Sequence, residues 1–123
     1  MVMEVGQSAE VSRRFSAVDV AAYTRIGGHT VQGDRVPEPL IGALFSYLLG
    51  VKLPGVGTNY LKQETRFTGT ARLDDTLTAH VEITRVRPEK HLVDLETICR
   101  TSDGTRIFEG RALVYVRDVA ASL

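Results

Sequence analysis

The sequence has little that would commit the chain to a redox, nucleic-acid or membrane role. Its 123 residues include one cysteine, Cys99, which excludes an internal disulfide and a zinc site built from several cysteines. Fifteen basic and fifteen acidic side chains cancel, so no net field attracts nucleic acid or an anionic membrane. The N-terminal residues lack the basic segment and apolar core of a signal peptide. We therefore expect a cytoplasmic protein with no nucleic-acid or membrane partner, no metal site and no cofactor.

An uncharged run over residues 39–51 is the most informative stretch of the chain. Six large apolar residues recur in it at helical spacing: Leu40, Ile41, Leu44, Phe45, Leu48 and Leu49. The run is too short to span a bilayer, which takes roughly 20 apolar residues. Because Ala43, Tyr47 and Val51 cover most of the remaining circumference, the pattern predicts a helix that is buried nearly all round and ends at Gly50.

The segment before this run predicts a strand and a shorter helix. Residues 11–15 have strand character, and Ser16 with Asp19 three residues later has the spacing of a helix N-cap. An apolar face follows, and the Gly27-Gly28 pair then ends the helix. That face consists of Val18, Ala21, Ala22 and Ile26.

The segment after the run predicts four strands, over residues 60–68, 77–84, 92–101 and 107–116. Apolar and polar residues alternate through the second of them, which indicates a sheet with one buried face. Ser102-Asp103-Gly104 is a hairpin signal, and Gly110 within the last strand indicates a bulge or a close backbone approach. One buried helix followed by four strands predicts an α+β fold, in which an antiparallel sheet wraps around a long central helix.

Four stretches in this order resemble one known family. They read FSAVDVAAY (15–23), LFSYLLG with LPG (44–50 and 53–55), YLKQETRF (60–67) and DDTLTAHVEI (74–83). The set is similar to the MaoC-like branch of the hot-dog fold, the branch of (R)-specific enoyl-CoA hydratases and 3-hydroxyacyl dehydratases. The resemblance extends over nearly the whole chain and implies a single hot-dog domain over residues 1–123.

The resemblance also implies where the chemistry lies. In the family, a Gly-Asp-x-Asn-Pro-x-His sequence between the two helices supplies the catalytic pair, and a backbone N–H at the start of the central helix polarises the thioester carbonyl. This chain has His29 where the family has its aspartate and Asp34 where the family has its histidine, within a shorter segment. The two residues form either a swapped catalytic dyad or a decayed site of solvated loop side chains.

The substrate-binding residues are expected around the same helix start. Pro39 has no N–H to offer, so the donor for the carbonyl is Glu38, Leu40 or absent. Gly42 lies one turn further along the predicted helix. Tyr60 and Gln63 follow on the next strand in opposite phase, so only one of them is expected to face inward.

The resemblance implies reversible hydration of a 2-enoyl thioester, or dehydration of the 3-hydroxyacyl form, on coenzyme A or an acyl carrier protein. Three alternatives remain open. The first is a thioester hydrolase that uses Asp34 or Glu38, the second a non-catalytic acyl-binding subunit, and the third a tailoring dehydratase or cyclase on a polyketide-like chain. A homodimer is expected in each case, because one hot-dog unit leaves a long edge strand unpaired.

Overall fold

The computed structural model describes residues 3–29 and 33–119. Its antiparallel sheet contains β1 (Ser8–Arg14), β2 (Asn59–Phe67), β3 (Thr76–Arg87), β4 (Leu92–Arg100) and β5 (Arg106–Tyr115). Two helices, α1 (Ala17–Arg25) and α2 (Glu38–Tyr47), separate β1 from β2 along the chain, and a short 3-10 turn, Pro88–Lys90, joins β3 to β4. The strand order is β1-β3-β4-β5-β2, which leaves β1 and β2 at the two edges.

The core lies between α2 and the concave face of the sheet. Alternate residues of β3, β4 and β5 are buried there, as the period of two predicts. On the helix, Ile41, Leu44 and Phe45 face this surface, and the Phe45 ring stacks on that of Phe108 at 4.4 Å between centroids. The predicted α+β fold with a central helix against an antiparallel sheet is confirmed.

The central helix differs from its prediction in two ways. It begins at Glu38 and runs beyond Gly50, because a π-helical turn, Leu48–Lys52, continues α2. The prediction of burial nearly all round was wrong, since Tyr47 and Val51 are exposed on the side away from the sheet. Apolar composition alone does not distinguish a face buried within one chain from a face left open for a partner or ligand.

The start of α1 is confirmed, whereas its apolar face is uncovered. The Ser16 backbone N–H donates to the Asp19 carboxylate at 2.8 Å, and the Asp19 N–H points back to the Ser16 hydroxyl, which forms the predicted capping box. Yet no residue of α1 is buried in the described part of the chain, and Val18 and Ile26 are 77% and 86% exposed.

A β-bulge in β2 overturns the prediction for Tyr60 and Gln63. The register of β2 with β5 shifts between Tyr60 and Lys62, so Tyr60 lies opposite Val114 and Gln63 opposite Ala112. Both partners are buried on the concave face of the sheet. Directly opposed residues in an antiparallel pair share a face, so Tyr60 and Gln63 both point to the concave side. The extra residue of the bulge cancels the phase difference that their sequence spacing implies.

The other strand signals agree with the structure. The chain turns at residues 102–104 between β4 and β5, as the hairpin signal predicts. A Cβ placed on Gly110 would collide with the backbone carbonyl oxygen of Glu64 on β2. The close backbone approach predicted at Gly110 is therefore confirmed.

Candidate functional site

A hollow of about 240 Å³ opens at the start of α2. We call it the helix-start hollow; its lining consists of Tyr23, His29, Arg35, Val36, Pro37, Glu38 and Pro39. His29 follows the end of α1, while Glu38 and Pro39 are the first residues of α2. Two predicted site residues, His29 and Glu38, thus line the same hollow although they lie on different segments.

Asp34 is held by a different partner. The Arg72 Nε donates to its Oδ2 at 2.8 Å, and the Leu73 N–H donates to its backbone carbonyl at 2.6 Å. Within residues 3–29 and 33–119, no hydrogen bond or ion pair joins Asp34 to His29. The structure therefore ties Asp34 to the β2–β3 connection, and the contact that a swapped dyad needs is not made.

The hydrogen bond from Arg72, aided by the charge of the guanidinium, holds the pKa of the Asp34 carboxyl below its ordinary value. Asp34 is therefore a carboxylate at neutral pH. It can accept a hydrogen bond or stabilise a nearby cation, but it has no proton to donate to a reacting group.

The first turn of α2 offers one backbone donor to the helix-start hollow. The Leu40 N–H donates to the Pro37 carbonyl at 3.0 Å, and Pro39 has no N–H. No side chain caps the helix start, and the Glu38 N–H has no hydrogen-bond partner among the described residues. Of the two candidates from the sequence, Glu38 is thus the one whose donor is free, at the end of the helix that favours negative charge.

The remaining predicted binding residues lie outside this hollow. Leu40 lines a second depression, and Gly42 is half-buried one turn along α2. Tyr60 and Gln63 are exposed on the concave face of β2, at the edge of the sheet. The described residues of this one chain do not bring these four positions into a single cavity with His29.

The second depression is an apolar groove of about 480 Å³ between β1 and α2. Its lining comprises Val11, Arg13, Phe15, Leu40, Ala43, Leu44 and Tyr47. Pro39 lines the hollow and Leu40 lines the groove, so both depressions have residues from the first turn of α2 in their lining. This groove was not predicted from the sequence, although the period-two spacing of Val11, Arg13 and Phe15 places all three side chains on one side of β1 and of the residue that follows it.

Two further properties of the described residues bear on the site. None of their helices has the length and apolarity needed to cross a membrane. They also contain no group of three or more histidine, cysteine, aspartate or glutamate side chains arranged to hold a metal ion.

Comparison with known proteins places this chain in a family of hydratases. The (R)-specific enoyl-CoA hydratase of Aeromonas caviae is 36% identical over an alignment covering 91% of this chain and 94% of that protein. The 3-hydroxybutyryl-CoA dehydratase of Methylorubrum extorquens is 30% identical, with coverage of 93% and 81%. The solved (R)-hydratase of A. caviae superposes with a TM-score of 0.83 over 91% of this chain and 96% of that one. No family model matches the sequence.

The fold and these relatives thus define a hot-dog protein of the hydratase class. With relatives at this identity over nearly their whole length, the chain belongs to the MaoC-like family of (R)-specific enoyl-CoA hydratases.

Proposed function

We propose that the protein catalyses the reversible addition of water to a 2-enoyl thioester, with His29 as the group that transfers the proton. The observation that carries this proposal is the helix-start hollow, where His29 and Glu38 meet the uncapped start of α2. Full-length relatives named as hydratases and a dehydratase support the same reaction class.

In this mechanism His29 acts as a general base. Its neutral imidazole takes a proton from water as the water oxygen bonds to the β-carbon, and the electron pair of the double bond moves toward the thioester oxygen. The α-carbon then takes a proton, which restores the imidazole. The Glu38 N–H, supported by the dipole of α2, donates to the oxygen on which negative charge develops.

Glu38 also supplies the acidic side chain of the helix-start hollow. Glu38 lines the same depression as His29, and in this mechanism its carboxylate stabilises the imidazolium that forms during the reaction. The dyad of His29 with Asp34 stays a prediction that requires Asp34 to leave Arg72. In the arrangement described above, Asp34 positions the segment, and Glu38 lines the same hollow as the histidine.

Crotonyl-CoA hydration, followed as loss of enoyl absorbance, tests the proposal. His29→Ala should lower kcat/KM by roughly a hundredfold to ten-thousandfold, the usual contribution of a general base. His80→Ala is the matched control, because His80 lies on β3 and contacts Glu10 at 2.9 Å. Asp34→Asn should have a small effect if Asp34 only positions the segment, whereas a loss equal to that of His29→Ala would support the dyad. Full activity in His29→Ala would contradict the mechanism.

Thioester hydrolysis is the second candidate, because it needs one carboxylate and a water, and Glu38 lines the hollow. Release of free thiol from acyl-CoA, lost in Glu38→Gln, would favour it over hydration. The carrier, coenzyme A or an acyl carrier protein, and the cytoplasmic location stay as expected from the sequence.

We also propose a homodimer that forms through the edge strand β2. Every residue from Asn59 to Arg66 is exposed, on both faces of the strand, and its outer backbone groups have no strand neighbour in the described chain. The hydrophobic side chains of Tyr60 and Leu61 are exposed there as well. An edge of this kind is normally paired or covered, and a second copy of β2 would extend the sheet across a two-fold axis.

A further inference from the structure

Arg13 is a cation on the apolar face of an edge strand. In the register of β1 with β3 it lies opposite Leu77, which is fully buried, so Arg13 points to the same concave side as Leu77. Its neighbours on that face, Val11 and Phe15, line the apolar groove with it. A charged side chain is unexpected at this position, because the alternation of the strand calls for an apolar one.

The guanidinium of Arg13 is held beside the Phe15 ring, but its N–H groups make no hydrogen bond within the described residues. Its carbon lies 5.2 Å from the centre of the Phe15 ring, a cation–π distance that aligns the group with the groove wall. Its ion pair with Asp19 is long, at 3.8 Å, and both side chains are partly exposed, at 55% and 33%. Such a pair contributes little, and Arg13 makes no hydrogen bond to any residue that the structure describes.

Asp19 does not compete strongly with a ligand for the guanidinium of Arg13. Its other carboxylate oxygen accepts from the Ser16 backbone N–H at 2.8 Å as part of the capping box of α1. That hydrogen bond, and to a lesser degree the charge of Arg13, holds the pKa of Asp19 below its ordinary value. The Asp19 carboxylate is therefore fixed at the helix start, and the planar fork of Arg13 can turn to a ligand oxygen in the groove.

The shape of the groove restricts what such a ligand can be. From Leu40 to Tyr47 it follows α2 for roughly 10 Å, given a rise of about 1.5 Å per residue, and its remaining lining is largely apolar. An uncharged alkyl chain seated there would strip water from the guanidinium without replacing its hydrogen bonds, which is unfavourable. A chain that ends in a carboxylate would supply them as a bidentate pair.

We propose that the apolar groove binds an acyl chain whose distal end is a carboxylate, held by Arg13, so that the preferred substrates are thioesters of dicarboxylic acids. This rests on the proposed function, since it takes the ligand to be an acyl thioester that reaches from the helix-start hollow into the groove. Tyr47 lines the α2 side of the same groove, and its hydroxyl is a second donor for the carboxylate.

Calorimetric binding of matched thioesters tests this without requiring turnover. Adipoyl-CoA and hexanoyl-CoA differ only in the distal carboxylate, and the native protein should bind adipoyl-CoA about tenfold more tightly, as expected for a charge-assisted hydrogen bond. Arg13→Met should abolish this preference and leave hexanoyl-CoA binding unchanged. Arg14→Met is the matched control, because Arg14 is the adjacent arginine and donates to the Asp74 carbonyl.

Three results would overturn the inference. Equal affinity of the native protein for the two ligands would do so, as would an Arg13→Met variant that weakens both equally. The third is an Arg13 effect that disappears when adipoyl-pantetheine replaces adipoyl-CoA, because the partner of Arg13 would then be a nucleotide phosphate. An Arg13-dependent preference in a protein that fails to hydrate crotonyl-CoA and the enoyl form of adipoyl-CoA would contradict the proposed function alone.

Discussion

The charge pattern of β2 makes the proposed dimer testable by charge reversal. Gln63 is the central residue of the strand, and a two-fold axis through it pairs Lys62 to Glu64, the part of β2 that follows the bulge, with its copy in antiparallel fashion. Lys62 then lies opposite Glu64 of the second copy, twice per dimer. An axis through Glu64 would instead place Glu64 opposite itself and Lys62 opposite Arg66, which sets like charges together. We therefore expect the axis at Gln63.

The magnitude follows from these two symmetric pairs. In Lys62→Glu each pair changes from an attraction of about 0.5 kcal/mol to a repulsion of similar size, as is typical for opposed residues on a sheet. Two pairs together cost about 2 kcal/mol, which weakens the dimer roughly thirtyfold. Within one chain the same change disturbs an exposed contact between Lys62 and Glu64 at 3.7 Å, whose contribution is small.

Sedimentation equilibrium at low salt measures the effect, and complementary variants provide the control. Lys62→Glu and Glu64→Lys should each dimerise weakly, because each carries like charges at both positions. Their equimolar mixture should form a heterodimer of native affinity, since every opposed pair is then attractive. Arg66→Glu should leave the affinity unchanged. Native affinity in Lys62→Glu, or no gain on mixing, would refute an axis at Gln63, and a monomeric native protein would refute the dimer.

Three further predictions concern the core. Thr97 is fully buried and its hydroxyl has no hydrogen-bond partner among the described residues. Thr97→Val should therefore raise the free energy of unfolding, measured by urea denaturation, by about 1 kcal/mol. A loss of stability would indicate that the hydroxyl has a partner. Gly110→Ala should lower the free energy of unfolding by about 2 kcal/mol or more and detach β2 from β5, since the new Cβ would collide with the Glu64 backbone. Native hydrogen-exchange protection of the β2 amides would contradict this. Burial raises the pKa of the Cys99 thiol to about 11, so its labelling by a thiol reagent at neutral pH should be slow until urea unfolds the protein, and fast labelling of the native state would count against its burial.

The fold was predictable where local chemistry and hydrophobic period agree. The Ser16 cap, the turn at residues 102–104 and the close approach at Gly110 each depend on residues near in sequence or on one backbone contact. The bulge beside Tyr60 was not predictable, because a shift of register depends on the neighbouring strand. The exposed sides of α1 and α2 were not predicted for a related reason. Hydrophobic periodicity indicates that a helix face is covered, but it does not indicate whether the rest of the chain, a partner or a ligand covers it.

The candidate site was predictable in its residues but not in their partners. His29 and Glu38 line one hollow, as their positions on either side of the α1–α2 segment allow. Asp34 pairs with Arg72, which lies in the distant β2–β3 connection. The spacing of His29 and Asp34 in the sequence carries no information about that connection. Arg13 was missed because an arginine on a strand is ordinarily assigned to the solvent face.

The short segment between α1 and α2 holds its two predicted catalytic residues, His29 and Asp34, in different surroundings. Its C-terminal part is fixed to the β2–β3 connection by hydrogen bonds from Leu73 to the Asp34 carbonyl and from Val36 to the Ala71 carbonyl, and by the Asp34–Arg72 pair. A carboxylate used in this way holds the segment just before α2 in place, and Asp34 is not among the residues that line the hollow. His29 is the residue of the pair that lines the hollow, which is why the proposed mechanism assigns proton transfer to the histidine and a positioning role to Asp34.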